Sequence, residues 1–405
     1  MSKYVLQGGR KLQGELAVHG AKNAALPLLA ATILGAGESV LHGCPHLSDV
    51  DAAIRILDYL GCGARRAGDT VTVDTANLTH FDVPEDLMRE MRSSIVFLGA
   101  IVSRLGKTRL SFPGGCEIGT RPIDLHLMAL RTLGLQIKDE HGYLDCSVDG
   151  RLRGAPVTFS FPSVGATENT MLAAVTAEGV TTITNAAREP EIIDLAQFLN
   201  KCGAKISGAG EGTSVIEGVE RLHGAEHTVI PDRIAATPYR CAAAVTHGDI
   251  LLTNVVPAQL ASVLTVFEQA GCGVQVYQNA VGWQPRAAAG SRRDRTMPYP
   301  GFPPMRKRRL CDAHAHGGSS MLMENILKAG INMFPSSSGW GANIKTEGRV
   351  AIVEGVSKLT SAKVSATDLR GGAALVVAGL AAEEKRRWMG CGTSTAAMTS
   401  WRKTW

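Results

Sequence analysis

Aromatic residues make up only 5% of this 405-residue sequence, no Cys-x-x-Cys pair occurs, and no apolar run is long enough to cross a bilayer. Few aromatics beside 45 glycines point to tight turns and cores packed from small residues. The nine cysteines are scattered and odd in number, which excludes a disulfide framework and reads as the reduced thiols of a cytoplasmic protein. The opening Met1-Ser-Lys-Tyr-Val has no apolar stretch of the signal-peptide kind, so neither export nor a membrane partner is expected. Charge of one sign is not in excess: 42 basic against 37 acidic residues leave +5, too mild for a nucleic-acid binder and compatible with a small anionic substrate. Neither Gly-x-Ser-x-Gly nor Gly-x-x-x-x-Gly-Lys-[Ser/Thr] is present, which removes the serine-hydrolase and P-loop readings. With 45% apolar and 20% charged residues, the chain has the composition of a soluble globular protein, and its length suits two domains of about 200 residues.

What is present is a repeat. An apolar helical stretch ends in Gly and an alternating strand hairpin follows, as in 54–60, Gly61 and 62–73. The pattern returns around Gly134, Gly203 and Gly271, and its second half alone around Gly341 and 343–352. Upstream strands open at Gly37, Gly179, Gly248 and Gly318. Gly37 to Gly61 and Gly179 to Gly203 are 24 residues apart; Gly248 to Gly271 and Gly318 to Gly341 are 23. Each closing Gly suits a left-handed helix C-cap. A period of about 70 residues is too long for a thin solenoid, and units of strand, helix and hairpin in two halves predict two similar α/β domains with a cleft between them. A hinge is expected near 224–231, where the third unit ends.

Five stretches carry candidate chemistry. Cys116 stands among Gly114, Gly115 and Gly119, with Pro113 before and Arg121-Pro122 behind, a loop built to move with one thiol and one fixed cation. On its own this also fits a buried cysteine in a tight turn. A helix is predicted to start at Asp124. Lys22, in Gly20-Ala-Lys-Asn23, stands just before a small-residue helix over 24–34, where a cation and free backbone N–H groups suit a phosphate or carboxylate. A solvated lysine would look the same. Arg92 opens the apolar helix 95–102, against the dipole, which suits an anion ligand or a surface pair with Glu90 or Asp86. Ser163 and Gly165 open another helix and can offer hydroxyl and backbone donors to a diphosphate. Ala366-Thr-Asp-Leu-Arg370 opens a last small-residue helix.

These strings, in this order, resemble the UDP-N-acetylglucosamine enolpyruvyl transferase family. The resemblance rests on Gly20-Ala-Lys-Asn23-Ala-Ala-Leu-Pro, Met91-Arg92-Ser-Ser, Pro113-Gly-Gly-Cys116-x-Ile-Gly-x-Arg121-Pro-Ile-Asp-Leu-His126 and Ser163-Val-Gly-Ala-Thr167. It continues in Asn185-Ala-Ala-Arg-Glu-Pro-Glu191, Pro298-Tyr-Pro-Gly-Phe-Pro303 and Ala366-Thr-Asp-Leu-Arg370, and is nearly unbroken over 1–280. It implies an α/β fold of two inside-out α/β barrel domains, each of three strand-helix-hairpin repeats, with the active site in the interdomain cleft. One domain would span 22–229, and the other 1–21 with 230–405. It also implies addition–elimination between phosphoenolpyruvate and the 3′-hydroxyl of UDP-N-acetylglucosamine, releasing phosphate, with no cofactor, no metal and no required oligomer. Cys116 would protonate phosphoenolpyruvate and can form an adduct with it. Lys22, Asn23 and Arg121 would bind phosphoenolpyruvate. Arg92, Arg121, Pro122, Ile123, Asp124, Leu125, His126, Ser163, Val164, Gly165 and Ile326 would hold the nucleotide sugar.

The chain departs from the family in two places. After Phe302-Pro303 the family has Thr-Asp, the Asp contacting the attacking hydroxyl; here Pro304-Met305 follows. The family's C-terminal His-Ile-Asp-Arg-Gly-Tyr, whose Arg grips phosphoenolpyruvate, is replaced by 390–401. Permitted codons for 391–403, read one base earlier, give Val-Arg-His-Ile-Asp-Arg-Gly-Tyr-Asp-Val-Met-Glu-Lys. Segments 304–309 and 328–340 behave alike, the latter yielding an ordinary helix that completes the fifth repeat. The sequence therefore reads as irregular or frame-shifted at about 283–296, 304–340 and 384–405, and the alternative function is an inactive or ligand-binding product of a frame-damaged gene. Cys311, His314 and His316 fall inside a shifted segment and are rejected as a metal site.

Overall fold

The computed structural model describes residues 3–112, 123–269, 272–284, 292–302, 320–323, 343–356, 364–365, 369–381 and 385–389. Its helices in chain order are α1 (Lys22–Thr32), α2 (Ser48–Tyr59), α3 (Glu85–Glu90), α4 (Phe97–Leu105, after a 3-10 turn at Arg92–Val96) and α5 (Asp124–Thr132). Then come α6 (Val164–Ala174), α7 (Pro190–Lys201), α8 (Arg233–Val245), α9 (Ala261–Gln269) and α10 (Leu369–Ala381). By contact the chain divides into residues 20–230 and residues 1–19 with 231–405.

Residues 20–230 hold three copies of one four-stranded sheet. In each, an opening strand pairs with the second arm of a hairpin on one side and with a parallel strand from elsewhere on the other. The opening strands are Glu38–His42, Lys107–Ser111 and Val180–Thr184. Their parallel partners are Glu226–Thr228, Asp82–Val83 and Pro156–Thr158. In the second hairpin arms one face is buried and the other is not, as Thr70–Asp74 and Tyr143–Ser147 show by strict alternation. Beneath the sheets lie α1, α4 and α6. From Ala24 to Thr32 every residue of α1 is buried, and so is every residue of α6 from Ala166 to Ala174. A helix such as α1, alanine and leucine with no polar stripe beyond its first turn, has to be enclosed. Helix α6 is enclosed as well although it carries Thr167, Glu168, Asn169 and Thr170, which puts helices inside and sheets outside. By contrast α2 is amphipathic and buries one stripe, including Val50, Ala53, Ile56 and Leu57.

The same geometry closes each unit. Gly61, Gly134 and Gly203 follow α2, α5 and α7 with φ of 95°, 94° and 100°, the left-handed caps that the repeat predicts. A second left-handed position ends the opening strand: Gly43 in the first unit, Asn185 in the third, and Asn254 in the first unit of the other half, with φ of 72°, 55° and 51°. Asparagine tolerates this region. Its amide then ties the neighbouring parallel strand, Asn185 Nδ2 donating to Phe159 O at 2.8 Å and Asn254 Nδ2 to Val18 O at 2.6 Å.

The other half repeats the plan. Gln13–Ala17 runs parallel to Asp249–Thr253, and Arg292–Arg295 runs parallel to Ser320–Met323, each beside a hairpin. Lys385–Met389 pairs with Lys3–Gln7 and Val364–Ser365. Residues 292–295 and 385–389 thus form strands inside stretches expected to be irregular. Main-chain hydrogen bonds set their places, and those do not depend on which side chains a strand carries.

Candidate active site

Lys22 is the first residue of α1 rather than lying before it. Ala21 caps the helix with extended backbone, its carbonyl accepting from the N–H groups of Ala24 and Ala25. The ammonium of Lys22 meets Asp49 Oδ2 at 2.7 Å, and both side chains are partly buried. Asp49 lies in the first turn of α2, where a carboxylate is favoured. Lys22 is therefore not a loosely solvated lysine. Its charge is aimed by a partner the sequence pattern does not reveal, because 27 residues separate the two.

The 3-10 turn begins at Arg92, with Met91 and Ser94 buried on either side and Ser94 Oγ donating to Met88 O at 2.9 Å. Glu90 is engaged by Arg55. The turn contacts both α1 and α6, and α5 packs on α6. Asp124 stands in the first turn of α5, after Ile123, and Leu125 and His126 follow it. Ser163 is the N-cap of α6, accepting from Ala166 N–H at 3.4 Å, with Val164 and Gly165 in the first turn. His126 is buried against that turn: a Cβ placed on Gly165 would stand 2.9 Å from its Cε1 and 3.2 Å from its Nε2. Burial pushes the imidazole down to about 4, so the ring is neutral at pH 7. Thus Ile123, Asp124, Leu125, His126, Ser163, Val164 and Gly165 come together on two adjoining helix starts. Cys116, Arg121, Pro122 and Ile326 lie outside the described residues, as does the Cys311, His314 and His316 group.

Known proteins decide the family. Over 388 residues the chain is 46% identical to UDP-N-acetylglucosamine 1-carboxyvinyltransferase 2 of Caldanaerobacter subterraneus subsp. tengcongensis, covering 95% of this chain and 92% of that one. The enzyme of the same name from Acinetobacter baylyi is 46% identical over 389 residues, with 95% and 92% covered. The chain belongs to the UDP-N-acetylglucosamine 1-carboxyvinyltransferase family. The broader family model, EPSP synthase (3-phosphoshikimate 1-carboxyvinyltransferase), matches residues 6–398. Two solved structures share the fold of this chain: the enolpyruvyl transferase NikO from Streptomyces tendae, and EPSP synthase from Acinetobacter baumannii. The first has a TM-score of 0.87 at 23% identity, covering 99% of this chain and 95% of that one. The second has 0.78 at 16%, covering 100% and 97%. The chain is accordingly a transferase of the two-domain α/β enolpyruvyl type.

Five thiols among the described residues are poor candidates for chemistry. Burial pushes Cys44, Cys62, Cys146, Cys202 and Cys272 up to about 12, so none is a nucleophile near neutrality. Among the described residues no group of three or more His, Cys, Asp or Glu side chains could hold a metal ion, and no helix is long and apolar enough to cross a membrane. Two polar residues at the site escaped the sequence reading. Asp49 was hidden by its distance from Lys22. Asn169 left no trace, because Thr167, Glu168 and Thr170 beside it in α6 are polar as well.

Proposed function

We propose that this chain transfers the enolpyruvyl group of phosphoenolpyruvate to the 3′-hydroxyl of UDP-N-acetylglucosamine, releasing phosphate, the first committed step of peptidoglycan synthesis, in the cytoplasm. Sequence identity of 46% to enzymes named for this reaction, along 95% of the chain, carries the reading. The hydroxyl oxygen attacks C2 of phosphoenolpyruvate and gives up its proton to solvent as C3 gains a proton from Cys116. Loss of a proton from C3 to the Cys116 thiolate, with cleavage of the bond from C2 to the phosphate oxygen, then expels inorganic phosphate. Cys116 supplies the proton at C3; an ordinary thiol with pKa near ~8.5 is largely protonated at neutral pH. Lys22, Asn23 and Arg121 take phosphoenolpyruvate, their charge stabilising the reacting anion without a metal or cofactor. Arg92, Arg121, Pro122, Ile123, Asp124, Leu125, His126, Ser163, Val164, Gly165 and Ile326 take the nucleotide sugar. The pairing of Lys22 with Asp49 and the junction of the α5 and α6 first turns support these assignments.

The test is phosphate release from phosphoenolpyruvate by the purified full chain. Release that requires UDP-N-acetylglucosamine, and falls by at least about a hundredfold in Cys116→Ala, is the expected outcome. Because an Asp after Phe302-Pro303 and a C-terminal Arg of the family pattern are missing, turnover by the chain as written is expected to be low. Release without the nucleotide sugar would overturn the reading. Binding of the nucleotide sugar with no release at all would leave a ligand-binding protein of this family.

A further inference from the structure

Asn169 sits in α6 with its side chain fully buried, and its amide makes three hydrogen bonds that use both Nδ2 hydrogens. Gly99 N–H donates to Oδ1 at 2.6 Å, and Nδ2 donates to the carbonyl of Ile95 at 2.8 Å. A backbone N–H only donates and a carbonyl only accepts, so these two bonds fix which end of the amide is oxygen. The second hydrogen of Nδ2 is thereby left for His126 Nδ1, 3.2 Å away. That ring nitrogen has to accept, which leaves it without a proton. In a neutral imidazole the proton then belongs to Nε2. The Cε1–Nε2 edge of the ring is the one that lies against Gly165, where no side chain intervenes.

We propose that Asn169 is a positioning residue for the nucleotide-sugar site, holding His126 in its Nε2–H tautomer so that a neutral donor stands at the first turn of α6 for a diphosphate oxygen. This rests on the enzymatic reading above. The start of α6 favours an anion through its free N–H groups and dipole. A neutral Nε2–H adds direction to that attraction without the cost of a buried imidazolium. The low titration of His126 is in keeping with a ring that stays neutral through the working range. Gly165 is part of the device, because a methyl group there would press on the donor edge.

The experiment is nitrogen-15 NMR of the histidine rings in the full chain at pH 7, followed by kinetics. The free protein is expected to show His126 as the Nε2–H tautomer. In Asn169→Asp the carboxylate still accepts from Gly99 but can only accept from Nδ1 as well, so a proton moves to Nδ1. KM for UDP-N-acetylglucosamine should then rise about tenfold, the worth of one lost hydrogen bond. The same change in a His126→Ala background should add nothing to KM, because Asn169 acts through that ring. Affinity for UDP should fall alongside, and affinity for uridine should not. An Nδ1–H tautomer in the unsubstituted protein overturns the proposal and leaves the enzymatic reading standing. Equal KM effects with and without His126 overturn it too, assigning Asn169 to packing alone. If the unsubstituted chain releases no phosphate with the nucleotide sugar, the enzymatic reading fails, and the proposal goes with it even where the tautomer is as described.

Discussion

Lys22 and Arg240 are two cations in opposite circumstances. Lys22 stands at the positive end of α1, a placement that costs about 0.3–1 kcal/mol by itself. Asp49 at 2.7 Å offsets that cost and restricts where the ammonium can go. Asp49→Asn should therefore leave the fold in place and raise KM for phosphoenolpyruvate about three- to tenfold, with KM for the nucleotide sugar unchanged. Steady-state kinetics with each substrate varied in turn checks this; a shift in both KM values would mean that Asp49 supports the whole site. Arg240 in α8 is only 1% exposed, and its Nη1 and Nη2 meet no hydrogen-bond partner among the described residues. Burial drags its guanidinium down to about 9, the mark of a charge with poor compensation. Replacing such a charge with an apolar side chain generally helps. Arg240→Leu is expected to stabilise residues 231–405 by about 1–4 kcal/mol, read as a higher melting temperature by calorimetry. A lower one would reveal an acidic partner for this side chain.

At the scale of elements, the repeat was open to reading because its punctuation is local. A Gly that caps a helix and a hairpin that follows it are both written within a few residues, so Gly61, Gly134 and Gly203 could be placed without coordinates. The enclosed helix α1 was legible for a related reason, since small apolar residues on every side leave no face for water, whereas the polar run 167–170 of α6 gives no such sign. What stayed hidden is non-local. Glu226–Thr228 completes the sheet of Glu38–His42, and Gln13–Ala17 that of Asp249–Thr253. Such short strands carry too little pattern to announce partners some two hundred residues away. The site divides in the same way. Lys22, Ser163 and His126 were found as members of strings, but the partners that orient them, Asp49 and Asn169, belong to other elements and are joined to them only by folding.

At the scale of the whole molecule, residues 20–230 have what an independent domain needs. All three of their repeats are complete apart from the Cys116 loop, which lies outside the described residues. Their hydrophobic core runs from Ala21 to Val229 without drawing on a single residue of the other half, whose own core is built from Val18 and residues beyond 235. The ends of the segment meet, Ala21 N–H donating to Ile230 O at 2.7 Å, so cutting there frees no buried strand edge. At about 210 residues the segment is large enough to bury roughly 70% of the surface of its unfolded chain. We expect residues 20–230, expressed alone, to unfold in one cooperative transition, with circular dichroism and tryptophan-free probes such as tyrosine fluorescence giving coincident midpoints. The excised segment should release no phosphate, since the family places reacting groups in both domains. Residues 231–405 are in a different position, because Gln13–Ala17 and Lys3–Gln7 come from the opposite end of the chain to fill two of their sheets. Without 1–19 those sheets lose a strand each, and that fragment should not fold. A stable 231–405 fragment beside an unfolded 20–230 would reverse the argument and place the organising core in the other half.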